Sequence, residues 1–463
     1  MSNKATQHPG QNIKDLDLNA LAKIISKVLT IDEITSDVQS CPVALRLEIT
    51  GSLKKNPLNP VRIDLTATHT VEGARRPGDS EVVLSADVEV WAEFFQQTPK
   101  PGFHSIGALR RSCEAFKVMG SNLCIAQSLP LAERILDYAR AALHPKQARA
   151  AHWDRSVLAQ ISGRYLCIDA AREEWVYCEQ AGDAFAPVLL MLHTAGADSR
   201  QWHGLMGAKS MKGDAQSVPS PLLSWSMHAF DLPGHGRSPL PVGCANWDWT
   251  LTQEDYCRWI LSYMDAQKIA KATLLGCSMG SAIGLVLLAK YPHRFEGAVL
   301  LEAPYCSRGR RSVYLNHAQV HGARLAAAWV GSLLAPHSEK SARDQATWIY
   351  SQGAPSVYDG DLAFYSDDFD AHHHTAQINT KKTPLWLLTG NYDYSASPEE
   401  TSKIHLEVQG SHFVELKGFG HFPMIENPIG LLPYLDEPLR DILANRAKHE
   451  RASQEGAQHE PTL

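Results

Sequence analysis

Between Ala272 and Tyr291 an apolar run, Ala272, Thr273, Leu274 and Leu275, passes through Gly276-Cys277-Ser278-Met279-Gly280 into the apolar run Ser281 to Ala289. The pattern reads as strand, five-residue turn, helix. So tight a turn forces its central residue into a strained backbone conformation and brings the residues on either side close together, so glycine is needed at both flanks. Ser278 is expected to stand exposed at the tip. Glycine and serine are common, so the five-residue pattern alone says little. The strand before it and the helix after it give it weight.

At 463 residues the chain is longer than one ordinary domain. Its 50 acidic and 44 basic side chains leave a mildly negative molecule. No basic tract is available to neutralise phosphates, so nucleic acid is not an expected partner. Residues 1–11 are polar and lack the basic-then-apolar order of a secretory signal. No apolar run approaches the length of a membrane span, so a cytoplasmic location without stable membrane insertion is expected. The nine cysteines show neither C-x-x-C nor metal-finger spacing, and Cys124, Cys167 and Cys257 fall in apolar patterns where thiols pack as small hydrophobes.

The first 140 residues read as an α+β domain. Leu18, Leu21, Ile24, Ile25, Val28 and Leu29 recur at helical spacing within residues 16–29. Val43, Leu45, Leu47 and Ile49, then Val61, Ile63, Leu65 and Ala67, alternate with polar residues as half-buried strands do. A turn at Gly73 to Gly78 leads to a strand over Val82 to Val90, a helix start at Trp91, Phe94 and Phe95, a short run Ala115 to Met119, and a helix through Ile135. In order, and in the stretches Ser85-Ala86-Asp87-Val88-Glu89-Val90 and Phe116-Lys117-Val118-Met119-Gly120, this region resembles the sterol-carrier-protein-2-like fold. The resemblance implies binding of a lipid or other hydrophobic molecule between sheet and helices; a purely structural or dimerising add-on is the alternative.

Residues 141–160 read as a linker. Beyond it, residues 161–445 change rhythm: a strand pair at Tyr165 to Asp169 and Trp175 to Glu179, then short apolar strands at Val188 to Leu192, Met227 to Phe230, Thr273 to Leu275, Ala298 to Leu301, Leu385 to Leu388 and Phe413 to Leu416. Continuous apolar strands separated by helices predict a mostly parallel sheet covered by helices on both faces. One such helix carries Tyr256, Trp259, Ile260, Tyr263 and Met264 at i, i+3, i+4, i+7 and i+8. Residues 305–380 interrupt the rhythm and are expected to form a helical lid over the strand tips. Residues 446–463 are charged and read as a disordered tail.

A serine hydroxyl needs a base within hydrogen-bond reach, a carboxylate to orient that base, and N–H donors for the developing oxyanion. Asp393 follows a strand in Leu388-Thr389-Gly390-Asn391-Tyr392-Asp393, and His421 lies in the glycine-rich loop Gly418-Phe419-Gly420-His421-Phe422-Pro423. Leu192-His193-Thr194-Ala195-Gly196 follows the first long strand, and Asp231-Leu232-Pro233-Gly234-His235-Gly236-Arg237-Ser238 follows the next. These motifs, in this order over about residues 163–443, resemble an α/β hydrolase. The resemblance implies Ser278 as nucleophile, His421 as general base and then acid, Asp393 as its orienting partner, and the N–H groups of Ala195 and Met279 as oxyanion donors. Thr194 departs from the glycine usual at the second position of the oxyanion loop.

Glu302, also just past a strand end, competes with Asp393 for the role of triad acid. Cys277 is expected to pack beside the turn, because the turn presents its third residue. His372, His373 and His374 are adjacent on a loop and do not suggest a metal site; no metal or cofactor is expected. Tyr305, Trp329 and Trp348 in the inserted segment, with Thr194, are candidate substrate contacts, and Arg308, Arg310 and Arg311 are either carboxylate receivers or ordinary surface. The expected activity is hydrolysis of a carboxylic ester of an apolar or aromatic small molecule, with acyl transfer as a near variant. Cleavage of a carbon–carbon bond in a β-diketone or vinylogous acid, by the same residues, and a non-catalytic lipid-binding protein are the alternatives. A homodimer is compatible with this reading.

Overall fold

The apolar runs pair into an eight-stranded sheet whose strands, in spatial order, begin at residues 412, 385, 295, 272, 188, 226, 174 and 162 in the computed structural model, which describes residues 17–50, 61–66, 80–145, 155–208, 210–211, 218–244 and 249–458. The chain divides into two compact units, Met1–Arg149 and Ala150–Leu463.

In the first unit α1 (Leu18–Val28) and α2 (Asp32–Ser40) precede β1 (Ala44–Thr50), β2 (Val61–Asp64) and β3 (Glu81–Asp87). α3 (Val88–Phe94), α4 (Ile106–Ser112), β4 (Lys117–Met119) and α5 (Asn122–Leu143) follow. The strands form one sheet of order β2-β1-β3-β4, with β1 and β3 parallel. Leu45, Leu47 and Leu84 from the sheet and Leu21, Ile25, Trp91, Phe94, Phe95, Ile135 and Leu136 from the helices are buried. One reading of this unit needs correction. The strand expected over residues 82–90 stops at Asp87, because Val88, Trp91 and Phe94 bury one helical face. α2 and α4 carry too few apolar residues to show a period in sequence. The expected turn at 73–78 lies outside the described residues.

The second unit opens with the antiparallel pair β5 (Ser162–Asp169) and β6 (Glu174–Gly182). β7 (Val188–Leu192), α6 (His203–Met206), the two-residue strands β8 (Ser210–Met211) and β9 (Val218–Pro219), β10 (Ser226–Phe230) and α7 (Gln253–Ala266) follow. Then come β11 (Ala272–Cys277), α8 (Met279–Lys290) and β12 (Phe295–Leu301). The segment between β12 and β13 holds α9 (Gly322–Leu333), α10 (Lys340–Gln352), α11 (Pro355–Ala363), a π turn (Phe364–Asp368) and α12 (His372–Thr375). β13 (Leu385–Gly390), α13 (Pro398–Glu407), β14 (His412–Leu416), α14 (Pro423–Glu426) and α15 (Pro428–Gln458) complete the chain. From β7 onward every pairing among β7, β10, β11, β12, β13 and β14 is parallel.

Burial explains the sequence pattern. Every residue of β11 and of β13 is buried, as expected for strands covered on both faces. α8 is buried from Met279 to Ala289, which is why its sequence is apolar all round rather than amphipathic. The tail is the second correction: α15 runs through Gln458, so residues 446–458 are helical rather than disordered. Its first turns bury Leu431, Leu432, Leu435, Leu439 and Ile442, and once nucleated the helix propagates through residues of good helix propensity. Arg446 ties it down through Glu450 at 2.9 Å and Glu296 on β12 at 3.2 Å.

Candidate active site

All the singled-out loops leave the carboxyl ends of parallel strands, on one edge of the sheet, where open α/β sheets form their crevices. Residues 193–196 follow β7, Ser278 follows β11, Glu302 follows β12, Asp393 follows β13 and His421 follows β14.

The turn after β11 is as tight as its sequence requires. Ser278 sits at φ 55°, ψ −112°, and its N–H donates to Leu301 O at 3.0 Å. A Cβ on Gly280 would lie 2.2 Å from Leu192 O, and one on Gly276 would lie 2.6 Å from the carbonyl carbon of Gly280. Neither position admits a side chain. Ser278 is not exposed, however: only 6% of its surface is accessible, because the hydroxyl of Tyr365 from the π turn lies 2.7 Å from its Oγ. A sequence shows the turn but not what closes over it.

From Ser278 a hydrogen-bond chain runs through His421 to Asp393. His421 Nε2 is 2.8 Å from Ser278 Oγ, and His421 Nδ1 is 2.6 Å from Asp393 Oδ2. Asp393 Oδ1 accepts the N–H groups of Ser395 at 2.6 Å and Ala396 at 3.2 Å. A carboxylate so surrounded accepts the Nδ1 proton, which leaves Nε2 as the lone-pair side facing the serine. Burial by itself pushes Asp393 up, but the His421 ring and the hydrogen bonds from His421, Glu302 and Ser395 hold it below the ordinary 3.8.

Glu302 and Asp393 have complementary protonation states. Glu302 is fully buried at φ 49°, and its carboxyl oxygens accept the Gly390 N–H at 2.9 and 3.1 Å. Burial first, then the adjacent Asp393 charge and the hydrogen bond to it, hold Glu302 well above the usual carboxylate range. Two carboxyls this close cannot both ionise. Glu302 keeps its proton and donates it in a hydrogen bond to ionised Asp393, the group that faces His421. Glu302→Gln, which retains a donor, is expected to hold kcat/KM within a few-fold. Glu302→Ala is expected to lower kcat/KM about tenfold, the worth of a hydrogen bond to a charged group. Equal losses in both variants would contradict this assignment.

The loop after β7 is held from several sides. Ala197 N–H bonds Thr194 O at 3.2 Å, closing a four-residue turn, with Gly196 at φ 66°. A side chain on Gly196 would run into the Tyr358 ring, 2.5 Å away. Thr194 N–H donates to Gln201 Oε1 at 3.1 Å, and its hydroxyl lies 2.9 Å from Gln201 Nε2 and 2.5 Å from the Tyr350 hydroxyl. Both polar groups of Thr194 are therefore engaged within the fold. The N–H groups of Ala195 and Met279 have no hydrogen-bond partner among the described residues. His193 bonds Thr194 O through Nδ1 at 2.8 Å and accepts the Leu232 N–H on Nε2 at 3.1 Å, which fixes it as a neutral ring. Burial, then His235, push its pKa down.

Other singled-out residues lie elsewhere. Tyr305 bonds Glu407 on α13 at 2.6 Å, and Trp348 is half exposed beneath the Arg200 guanidinium. Trp329 packs on Tyr358. Cys277 is fully buried with Sγ toward His421 O, and burial pushes its thiol well up. His372 bonds Glu407, and His374 is buried against Phe369. Arg308 and Arg311 pair with acidic neighbours, and Arg310 holds Ser395 Oγ at 2.7 Å. Gln201 and Asp361 are the participants that sequence reasoning missed; Tyr350 and Tyr365 stand out in sequence only as two of the inserted segment's many aromatic residues, since no spacing links either to Ser278.

Residues 187–428, just over half of the chain, match the family described as the alpha/beta hydrolase fold. The chain belongs to that family. Among relatives of this hydrolase is the pimeloyl-[acyl-carrier protein] methyl ester esterase of Aeromonas salmonicida (strain A449), 23% identical over 259 residues, 52% of this chain and 91% of the esterase. Solved structures similar to the hydrolase include the enol-lactonase from Burkholderia xenovorans LB400, at TM-score 0.49 and 18% identity, covering 61% of this chain and 100% of that one. A thermophilic esterase from Thermogutta terrifontis gives TM-score 0.49 and 19% identity, covering 61% and 99%. Residues 1–186 lie outside the family match. No helix among the described residues is long and apolar enough to cross a membrane.

Proposed function

We propose that this hydrolase cleaves a carboxylic ester of an apolar or aromatic small molecule through an acyl-enzyme on Ser278. The observation that carries the reading is the unbroken chain from Asp393 Oδ2 through His421 to Ser278 Oγ, at 2.6 and 2.8 Å. Ser278 Oγ attacks the acyl carbon while its proton passes to His421 Nε2, and His421 then gives that proton to the leaving oxygen. Asp393 holds the ring and stabilises the imidazolium. Ala195 and Met279 supply N–H groups to the oxyanion. Water repeats the sequence to release the acid. Serine rather than aspartate at the turn argues against alkyl-enzyme chemistry of the dehalogenase or epoxide hydrolase kind.

The aromatic groups about the turn support an apolar substrate: Tyr350 packs on Phe422, beside His421, and on Tyr358 over Gly196. The name of the Aeromonas relative supports an ester. We also propose that the inserted segment acts as a lid, and that the first unit, whose order resembles sterol-carrier-protein-2-like domains, binds a hydrophobic molecule.

The test is turnover of p-nitrophenyl esters of increasing acyl length against β-diketones, with the full chain and with residues 150–463. Ester cleavage well above diketone cleavage is expected, with preference for long chains weakened in the truncated protein. Turnover of diketones alone would replace the ester reading by carbon–carbon hydrolysis, and an unchanged chain-length preference would remove the first unit from substrate handling.

A further inference from the structure

The π turn Phe364–Asp368 delivers a side chain onto the nucleophile. α11 passes into it without a break, and its i→i+5 bond, Phe369 N–H to Phe364 O at 2.9 Å, re-aims the residues relative to an α-helix. Two anchors hold it. Arg310 N–H donates to Ser366 Oγ at 3.0 Å, and Gln253 N–H donates to Asp368 Oδ2 at 2.6 Å. Just before these anchors Phe364 and Tyr365 are both buried, and Tyr365 places its hydroxyl 2.7 Å from Ser278 Oγ.

The proton positions around that oxygen follow from its neighbours. His421 donates its Nδ1–H in a hydrogen bond to Asp393, so its Nε2 accepts, and Ser278 O–H donates to it. With its one proton so used, Ser278 Oγ is an acceptor toward Tyr365. The phenol is the donor. Burial keeps it un-ionised, raising it well above the ordinary 10.0, so it remains a donor across the working range of a hydrolase.

Resting on the serine-nucleophile reading, we propose that Tyr365 is a further catalytic residue: its O–H stabilises negative charge on Ser278 Oγ both when that oxygen attacks and when it departs. In the first half-reaction the Oγ–C bond forms as the Oγ proton moves to His421 Nε2, and charge builds on Oγ before the bond is complete. In the second half-reaction water gives a proton to His421 Nε2 as it adds to the acyl carbon, the Oγ–C bond breaks, and Oγ carries charge again until His421 passes that proton to it. The phenol transfers no proton at either step. It is a fixed dipole aimed at an atom whose charge changes twice per cycle, which is where preorganised donors contribute most.

The competing role is obstruction, in which Tyr365 merely blocks Ser278 until displaced. The two roles predict opposite signs. In Tyr365→Phe the ring and its packing remain and only the donor is lost. The proposal expects fluorophosphonate modification of Ser278 to slow by about 10- to 100-fold, with kcat on a p-nitrophenyl ester lowered comparably, KM within about twofold and the melting temperature unchanged. Modification as fast as or faster than in the wild type overturns it and leaves obstruction. Should Tyr365→Phe not fold, trifluorotyrosine at position 365 keeps the size and makes the phenol acidic. Modification must then fall with rising pH as the phenol ionises, relative to the wild-type profile. Cys277, Arg310, Asp361, Tyr256 and Tyr350 are titratable or charged neighbours of this phenol, with His421 across Ser278 Oγ, and they are common to both proteins. A ratio that does not change with pH overturns the proposal. Failure of the wild-type chain to be modified at Ser278 at all overturns the nucleophile reading and the proposal with it, which separates the two failures.

Discussion

Ser278→Ala is expected to lower kcat by at least about 10⁴-fold on every substrate the wild type turns over, and to abolish fluorophosphonate modification. The loss is this large because Oγ is the atom to be bonded to carbon, and no neighbour can replace it. Cys277, the adjacent side chain with nucleophilic chemistry, is buried with its Sγ on the His421 carbonyl and its thiol held protonated. Alanine keeps the Cβ and so adds no strain beyond that already present at φ 55°. The variant should therefore fold, and a melting temperature near that of the wild type would show that loss of turnover is chemical. Residual turnover within tenfold of wild type would sink the acyl-enzyme reading.

The second large effect is on stability. Asp361 on α11 is fully buried and is the meeting point of three donors: Gly196 N–H at 2.6 Å, His235 Nε2 at 2.8 Å and the Tyr256 hydroxyl. His235 also bonds Pro233 O through Nδ1, at 3.1 Å, so both ring nitrogens face acceptors and the ring is an imidazolium. Burial opposes that charge, but Asp361, Pro233 O and Asp231 outweigh it, and His235 is raised above the ordinary 6.5. Removing one partner of a buried pair strands the other, so Asp361→Ala is expected to cost about 3–5 kcal/mol. In a unit of this size that lowers Tm by roughly 10 °C. The sign of the pH dependence follows from linkage. A raised histidine stabilises fully below its unfolded value and loses that contribution as pH rises through its folded value. The Tm gap between wild type and Asp361→Asn should therefore be widest below pH 6.5 and narrow above it. A gap that widened with pH would contradict an imidazolium at His235.

The parts legible in sequence are those whose physics is local or periodic. β7, β11 and β13 announce themselves because strands buried on both faces must be apolar throughout, and the turn at Gly276 to Gly280 because its crowding admits nothing but glycine at the flanks. Asp393 and His421 were findable because each follows a strand end in an order that the fold imposes. Tyr365 and Asp361 were not, because their positions depend on how the inserted helices fold back on the strand edge, and no period in sequence encodes that. Trp348 shows the converse: an aromatic residue chosen for its chemistry lies half exposed, stacked beneath Arg200. Glu302 looked like a rival to Asp393 because both follow strands; only its burial beside Gly390 shows which of the two keeps its proton.

The attachments of the inserted segment tie it to the site at two points. Through Asp361 it is bonded to Gly196 in the loop after β7, and through Tyr365 to Ser278 itself, while Ser278 has almost no accessible surface. On the proposed acyl-enzyme reading, one segment thus supports both the reacting oxygen and the loop that supplies an oxyanion donor, so a change that unseats it would weaken both at once.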